Sequence, residues 1–374
     1  MDKLDNPFVV SGYYSPEYFC DREKETERMR SAIKSRRNVT LIAHRRIGKT
    51  GLIQHVFYSL ARQKNYACFY IDIMPTGSLT DLVKLMGKSI LGKLDSNPVR
   101  LLKQIGNVLS GIKPSLSYDA ISGEPGIEFD IQTTRQAEHT FEQIMGYLEK
   151  SGKRIIIAFD EFQQIVHYPE KNTEAYLRAQ VQSCKNVNFI FSGSHKHLLL
   201  SMFSKYGRPF YNSTEIINLE KIEAPRYAAF IEKYLRKGKH KTTVEGIAKI
   251  LEVCRSHTWF VQYLCNKLYA ATTISVNEFA VKAVLLSILR ENEVVYYNYR
   301  NLLTDFQWQL LKAIAKEETV SQPTSKQFIQ KYKLGTPSSV KTALKALTEK
   351  EMVYAENGAY LVYDVFLSRW MQQK

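Results

Sequence analysis

The tripeptide Gly48-Lys49-Thr50, inside the stretch "NVTLIAHRRIGKTGLI", has the residue types that bind a polyphosphate. In such loops backbone N–H groups wrap phosphate, a lysine reaches the β/γ-phosphates and a hydroxyl binds magnesium. Lys49 and Thr50 fill the last two roles; Ala43, His44, Arg45, Arg46, Ile47, Gly48 and Gly51 would line the rest of the loop. Ala43 stands where an opening glycine is usual. Alanine fits there provided its φ is negative, whereas Gly48 is the costlier position to replace. A second chemical set lies farther along, in "KRIIIAFDEFQQI". Asp160 would hold magnesium through water, and Glu161 would polarise the attacking water. Two exposed acids at a strand end are common, and so is a lone G-K-T. The two together in this order are much rarer and indicate a P-loop nucleotide site.

These groups need a strand, a loop and a helix whose N-terminus faces the anion. Val39-Thr40-Leu41-Ile42 reads as a buried strand, and Leu52, Ile53, Val56, Phe57 and Leu60 recur at helical spacing. Ile155 to Phe159 is apolar without alternation, as in a parallel strand buried on both faces, and ligands sit at the carboxyl ends of such strands. "ACFYIDIM" reads as another such strand, with Asp72 on the phosphate side, and 78–94 as an amphipathic helix. "NVNFIFSGSHK" gives a further buried strand ending in Ser192-Gly193-Ser194. In an AAA-type core a polar group there lies beside the D-E strand and senses the γ-phosphate; Ser194 is the candidate and Ser192 the alternative. His195 and His197 have no carboxylate or cysteine in register and read as solvated turn residues. Arg208, in a Gly-Arg-Pro turn, is either an arginine finger or an ordinary exposed arginine. The N-terminal arm offers Pro7, Phe8 and Phe19 as apolar contacts for adenine, with plain packing as the alternative.

Between the second strand and the D-E strand, residues 113–132 carry an alternating Leu116, Tyr118 and Ile127, Phe129, Ile131 pattern, a β-hairpin insertion without chemistry. From 225 to about 299 the chain is helical, as a lid would be. In the tail, Phe306, Leu310, Leu311 and Ile314 share one helix face, and Thr324 reads as the cap of a second helix. Thr336 and Pro337 open a third, and Asn357-Gly358 joins two strands. This is the order of a winged helix-turn-helix. Its third helix would expose Ser338, Lys341, Thr342 and Lys345 to a DNA groove, or to a protein partner.

The 374 residues suggest two or three domains, and 44% hydrophobic with 24% charged residues is an ordinary globular composition. No run approaches membrane-spanning length, and "MDKLDNPF" lacks a signal-peptide apolar region. Five scattered cysteines without C-x-x-C argue against a disulfide framework or a zinc site, and a cytoplasmic protein is expected. The 52 Lys and Arg against 37 Asp and Glu leave a net charge of +15, which favours polyanionic partners or serves solubility alone.

Together the motifs resemble the archaeal-type ATPases of the AAA/STAND-related P-loop group and their bacterial relatives. The resemblance is carried by Asn6-Pro7-Phe8, Phe19 with Arg22-Glu23, Arg45-Arg46-Ile47-Gly48-Lys49-Thr50, Asp160-Glu161-Phe162-Gln163, Phe191-Ser192-Gly193-Ser194 and Tyr206-Gly207-Arg208. It spans nearly the whole chain. Asp21 departs from a usual glycine, His44 from a proline, and Thr258 from a proline with which the lid reads nucleotide state. The resemblance implies an α/β fold: an AAA-type parallel-sheet core over 1–222, a helical lid over 223–300 and a winged helix over 301–374. It implies ATP or ADP with Mg2+ as ligands and ATP hydrolysis with Glu161, Lys49, Ser194 and Arg208 as the catalytic set. The expected function is an ATP-driven switch whose winged helix contacts double-stranded DNA or a protein, with oligomerisation open. A protein-interaction ATPase serving a toxin, nuclease or transporter, and a structural ATP binder with little turnover, are the alternatives.

Overall fold

The computed structural model describes residues 4–94, 114–118, 125–271 and 275–374. The backbone divides into two compact units: Gly12–Glu220, and Lys221–Lys374 together with Met1–Ser11. In the first unit, β1 (Val39–Ile42) and β2 (Tyr66–Asp72) are followed by the hairpin β3 (Pro114–Tyr118) and β4 (Pro125–Phe129). Then come β5 (Arg154–Asp160), β6 (Val187–Gly193) and the short β7 (Glu215–Asn218). Five of these strands form one parallel sheet in the order β2-β5-β6-β1-β7. β1, β5 and β6 are the central three, and their residues are buried with one half-buried exception, Arg154 at the edge. This is why their sequences are continuously apolar and do not alternate.

Helices cover both faces of the sheet. The helix Lys49–Ala61 buries Leu52, Ile53, Val56, Phe57 and Leu60 against one side of β1 and β5, on the predicted spacing. The opposite face is closed by Leu79–Leu94, Thr134–Glu149 and Lys196–Ser204, around an aromatic cluster of Phe159, Phe162, Phe191, Phe203 and Phe210. Burying such aromatic side chains dominates the apolar contribution of a core. The hairpin is antiparallel with Leu116 opposite Ile127; its turn lies outside the described residues.

The second unit contains the five helices Ala224–Lys237, Val244–Val253, Thr258–Ala270, Glu278–Glu291 and Glu293–Asn301. Between them β8 (Lys241–Thr242) and β9 (Ser275–Val276) pair in parallel, too short to leave a readable pattern. The winged helix follows. Asp305–Glu317 buries Leu310, Leu311 and Ile314, while Phe306 is only half-buried. Lys326–Lys331 is capped by Ser325, whose hydroxyl accepts from Phe328 N; Thr324, expected in that role, lies one residue too early. Pro337–Glu349 is capped by Thr336 as anticipated. β10 (Val353–Glu356) and β11 (Ala359–Val362) pair across Asn357 (φ 51°) and Gly358 (φ 78°), the two left-handed residues of a type I′ turn. A last helix, Val365–Gln372, packs on Asp305–Glu317 and was not signalled by any spacing in the tail.

Two sets of contacts, one from a pair of arginines and one from the arm, explain why these pieces form one unit. Arg255 donates to Glu318, to the Val362 carbonyl and to Ser368, while Arg369 reaches Glu318 and the carbonyls of Val253 and Glu252. Winged helix and lid are therefore locked by a shared carboxylate. The start of the N-terminal arm, up to Ser11, groups with this unit and the rest of the arm with the ATPase core: Asn6 donates to the Asn266 carbonyl and Asn266 to the Phe8 carbonyl, both at 2.9 Å. No described helix is long and apolar enough to cross a membrane.

Candidate nucleotide site

β1 ends at Ile42 and delivers the loop 43–48 to the helix that starts at Lys49. Ala43 is buried and is not among the residues with positive φ, so its methyl group costs nothing there. The left-handed positions are Arg46 (φ 62°) and Gly48 (φ 106°). Gly48 is thus the glycine this loop needs, as the sequence implied. Arg45 and Arg46 are exposed, Ile47 is buried, and His44 is half-buried. Arg22, buried and itself left-handed at φ 78°, donates to the Ile47 carbonyl at 3.3 Å and braces the loop from behind. Asp21 is also left-handed at φ 57°, which accounts for the family's glycine at that position.

Asp160, the last residue of β5, and Glu161, which follows it, are brought to this loop. Lys49 Nζ stands 3.9 Å from Glu161 Oε1, both largely buried. Thr50 Oγ1 donates to Asp160 Oδ2 at 3.3 Å. Tyr70, from β2, donates to the same Asp160 oxygen, and Ser192 donates to Asp160 Oδ1 at 2.6 Å. Burial raises the Asp160 carboxyl. Lys49 and the bonds from Ser192, Tyr70 and the Glu161 amide more than offset this and hold it below its usual value. Asp160 is therefore ionised, and Thr50, Tyr70 and Ser192 set hydroxyl oxygens around its carboxylate; a carboxylate with the Thr50 hydroxyl suits a hard divalent cation such as magnesium. Asp72, level with Asp160 in the register of β2 and β5, is exposed at the same sheet edge.

Glu161 follows the strand with φ 54°, an elbow that turns its side chain along the carboxyl end of the sheet. Its Oε2 accepts from Ser194 N at 3.0 Å, Ser194 Oγ at 2.8 Å and Gln163 Nε2 at 2.6 Å. The two serines at the end of β6 thus divide the work: Ser192, inside the strand, holds Asp160, and Ser194, just past it, holds Glu161. Neither the Tyr70 contact nor the Gln163 contact is signalled by any spacing in the sequence.

Of the adenine candidates, Phe19 lies beside the P-loop helix. Its ring stacks on His55 at 4.5 Å, meets Tyr13 edge-on, and leaves no spare room over Gly51, where an added Cβ would lie 3.3 Å away. Pro7 and Phe8 belong to the other unit, and both are buried. There Phe8, 1% exposed, is enclosed by Phe230, Tyr234 and Tyr269, which leave no ring face for a base. Arg208 is paired with Glu174 of its own chain at 2.6 Å. His195 and His197 are exposed, and no cluster of metal-ligating side chains of the His, Cys, Asp and Glu type occurs among the described residues. Ser338, Lys341, Thr342 and Lys345 are all exposed on Pro337–Glu349, and Lys345 lies 3.8 Å from Glu349.

Residues 19–191 match the model of an ATPase domain found predominantly in Archaea, and 294–373 that of a probable winged helix domain. The fold is similar to that of the Walker-type ATPase PABY2304 of Pyrococcus abyssi, at 17% identity and a TM-score of 0.66 over 98% of this chain and 99% of that one. It is also similar to the ORC2 protein of Aeropyrum pernix in its ADPNP–ADP complexes, at 14% identity and a TM-score of 0.59 over 98% and 97%. The ORC1 protein of the same organism in complex with DNA gives 13% and 0.53 over 99% and 96%. At these identities the likeness is one of fold. No curated protein matches the sequence. The P-loop after β1, the acidic pair at the carboxyl end of β5 and the C-terminal helix-helix-helix-hairpin agree with both family models: the chain carries an ATPase domain of the predominantly archaeal type over residues 19–191 and a winged helix domain over 294–373.

Proposed function

We propose that the protein binds and hydrolyses ATP with magnesium, and that nucleotide state governs what the winged helix contacts. The observation that carries this reading is the convergence of Lys49, Thr50, Asp160 and Glu161 on one sheet edge. Lys49 meets the phosphates with its charge, supported by the N–H groups of the loop. Thr50 and Asp160 hold magnesium, which when bound neutralises charge on the phosphate oxygens. Glu161 polarises the attacking water and Ser194 fixes Glu161. Phe19 and His55 supply the apolar shelf for the base. Arg208, engaged by Glu174, acts on a phosphate only after leaving that partner. Glu161→Gln should leave ATP affinity unchanged and cut turnover by roughly 10²–10⁴-fold, since an amide cannot take the proton. Wild-type turnover in that variant would remove Glu161 from the reaction.

For the contact itself, the exposed Lys341 and Lys345 with the overall charge of +15 support double-stranded DNA. A protein partner is favoured by a different feature. Val294, Tyr297 and Leu302 are 72%, 52% and 61% exposed at the entry to the winged helix. A salt series with random duplex decides between them. The five cysteines form no disulfide, which supports a reducing, cytoplasmic setting.

A further inference from the structure

Gln163 is 3% exposed, and its amide is engaged at one end only. Nε2 donates to Glu161 Oε2 at 2.6 Å. A carboxylate offers no proton, so the nitrogen must face it and the amide oxygen must point away. Oε1 is buried and has no hydrogen-bond partner. It lies against Gly193, where an added Cβ would fall 2.0 Å from it. A buried acceptor without a donor costs free energy, and native proteins keep few of them. Here the cost is borne so that the N–H stays on Glu161, and the missing side chain at Gly193 makes room for it.

The consequence for Glu161 is an asymmetric carboxylate. Oε2 is saturated by Gln163 and by both donors of Ser194, whereas Oε1 faces Lys49 at 3.9 Å. We propose that Gln163 is a positioning residue for ATP hydrolysis. It clamps Oε2 of Glu161 so that Oε1 alone meets the attacking water, and Gly193 is required to admit its amide. The D-E-F-Q and F-S-G-S motifs are thereby one device: the first supplies base and clamp, the second supplies Ser194 and the space. This rests on Glu161 being the base.

The test uses Gln163→Met, which keeps the length and packing of the side chain and removes the N–H. Single-turnover hydrolysis should fall tenfold or more, as for a base displaced from its working geometry. Affinity for MgATP, read by a fluorescent analogue, should stay within about twofold, because the phosphate-binding groups are untouched. In a Glu161→Gln background the same substitution should cause no further loss. Gly193→Ala, which pushes the amide aside, should reproduce the fall, and adding Gln163→Ala to it should change nothing more. Wild-type hydrolysis in Gln163→Met, with Glu161→Gln inactive, overturns the proposal while leaving the base assignment standing. An equal loss in the Glu161→Gln background also overturns it, since the effect would then not pass through Glu161. Normal hydrolysis in Glu161→Gln, or none in the wild type, refutes the underlying reading instead.

Discussion

Replacing Lys49 by alanine removes a cation that is 7% exposed and stands 3.9 Å from Glu161 Oε1. At that separation, with an effective dielectric constant of about 20, a pair of unit charges interacts by roughly 4 kcal/mol. A nucleotide phosphate at a similar distance gains a comparable amount from the lysine. Against this stand the weakened Glu161 contact and the water both ions shed. Losing one partner of such a desolvated pair costs about 2–5 kcal/mol net. The dissociation constant of MgATP should therefore rise roughly thirtyfold to several thousandfold. Titration with a fluorescent ATP analogue measures it, and thermal unfolding of the nucleotide-free variant checks that the fold persists. A dissociation constant within about threefold of wild type would refute the assignment of the loop.

Ala43→Gly should leave ATP affinity within about twofold and lower stability by about 0.5–1 kcal/mol through the unfolded chain; a gain in affinity would mean the natural loop is strained. Burial raises the Glu318 carboxyl, but Arg255, Arg369 and Gln372 more than offset this and hold it below the usual range. A depressed group stabilises above its unfolded value of about 4.3 and loses that contribution as pH falls through its lower folded value. Glu318→Gln should accordingly destabilise at pH 7, and the gap from wild type in urea midpoint should close at acid pH; a gap independent of pH would contradict the ion-pair account. Lys341→Ala and Lys345→Ala should each weaken DNA binding alike across sequences and reduce the salt slope by about one counterion. No effect of either would favour the protein partner.

What was legible in the sequence was whatever local pattern fixes. The continuous apolar runs of β1, β5 and β6 specify strands buried on both faces, and this places their polar ends on one edge. The type I′ turn at Asn357-Gly358 and the cap at Thr336 are equally local. Features set by distant pairing were not legible. Tyr70 is one aromatic among several in β2, and only the adjacency of β2 and β5 turns it onto Asp160. The arm is fixed by Asn6 and Asn266, separated by 260 positions, so Phe8 read as a nucleotide contact although the lid consumes its ring. Ser325 and Thr324 are chemically equivalent caps, and one residue of backbone decides between them.

The arrangement of the arm also bears on how the ATPase unit can be handled as a piece. The backbone passes between the two units twice, at Ser11–Gly12 and at Glu220–Lys221, so Gly12–Glu220 is an insert carried by the other unit. A single protease cut at either passage leaves a covalent link at the other. After a cut at the first, the short arm fragment is held by its docking on Asn266 and by the packing of Phe8. Loss of that fragment would uncover the ring faces that Phe230, Tyr234 and Tyr269 turn to Phe8, enlarging the exposed apolar surface there. Purification tags, truncations and fusions placed upstream of Asn6 act on that seal.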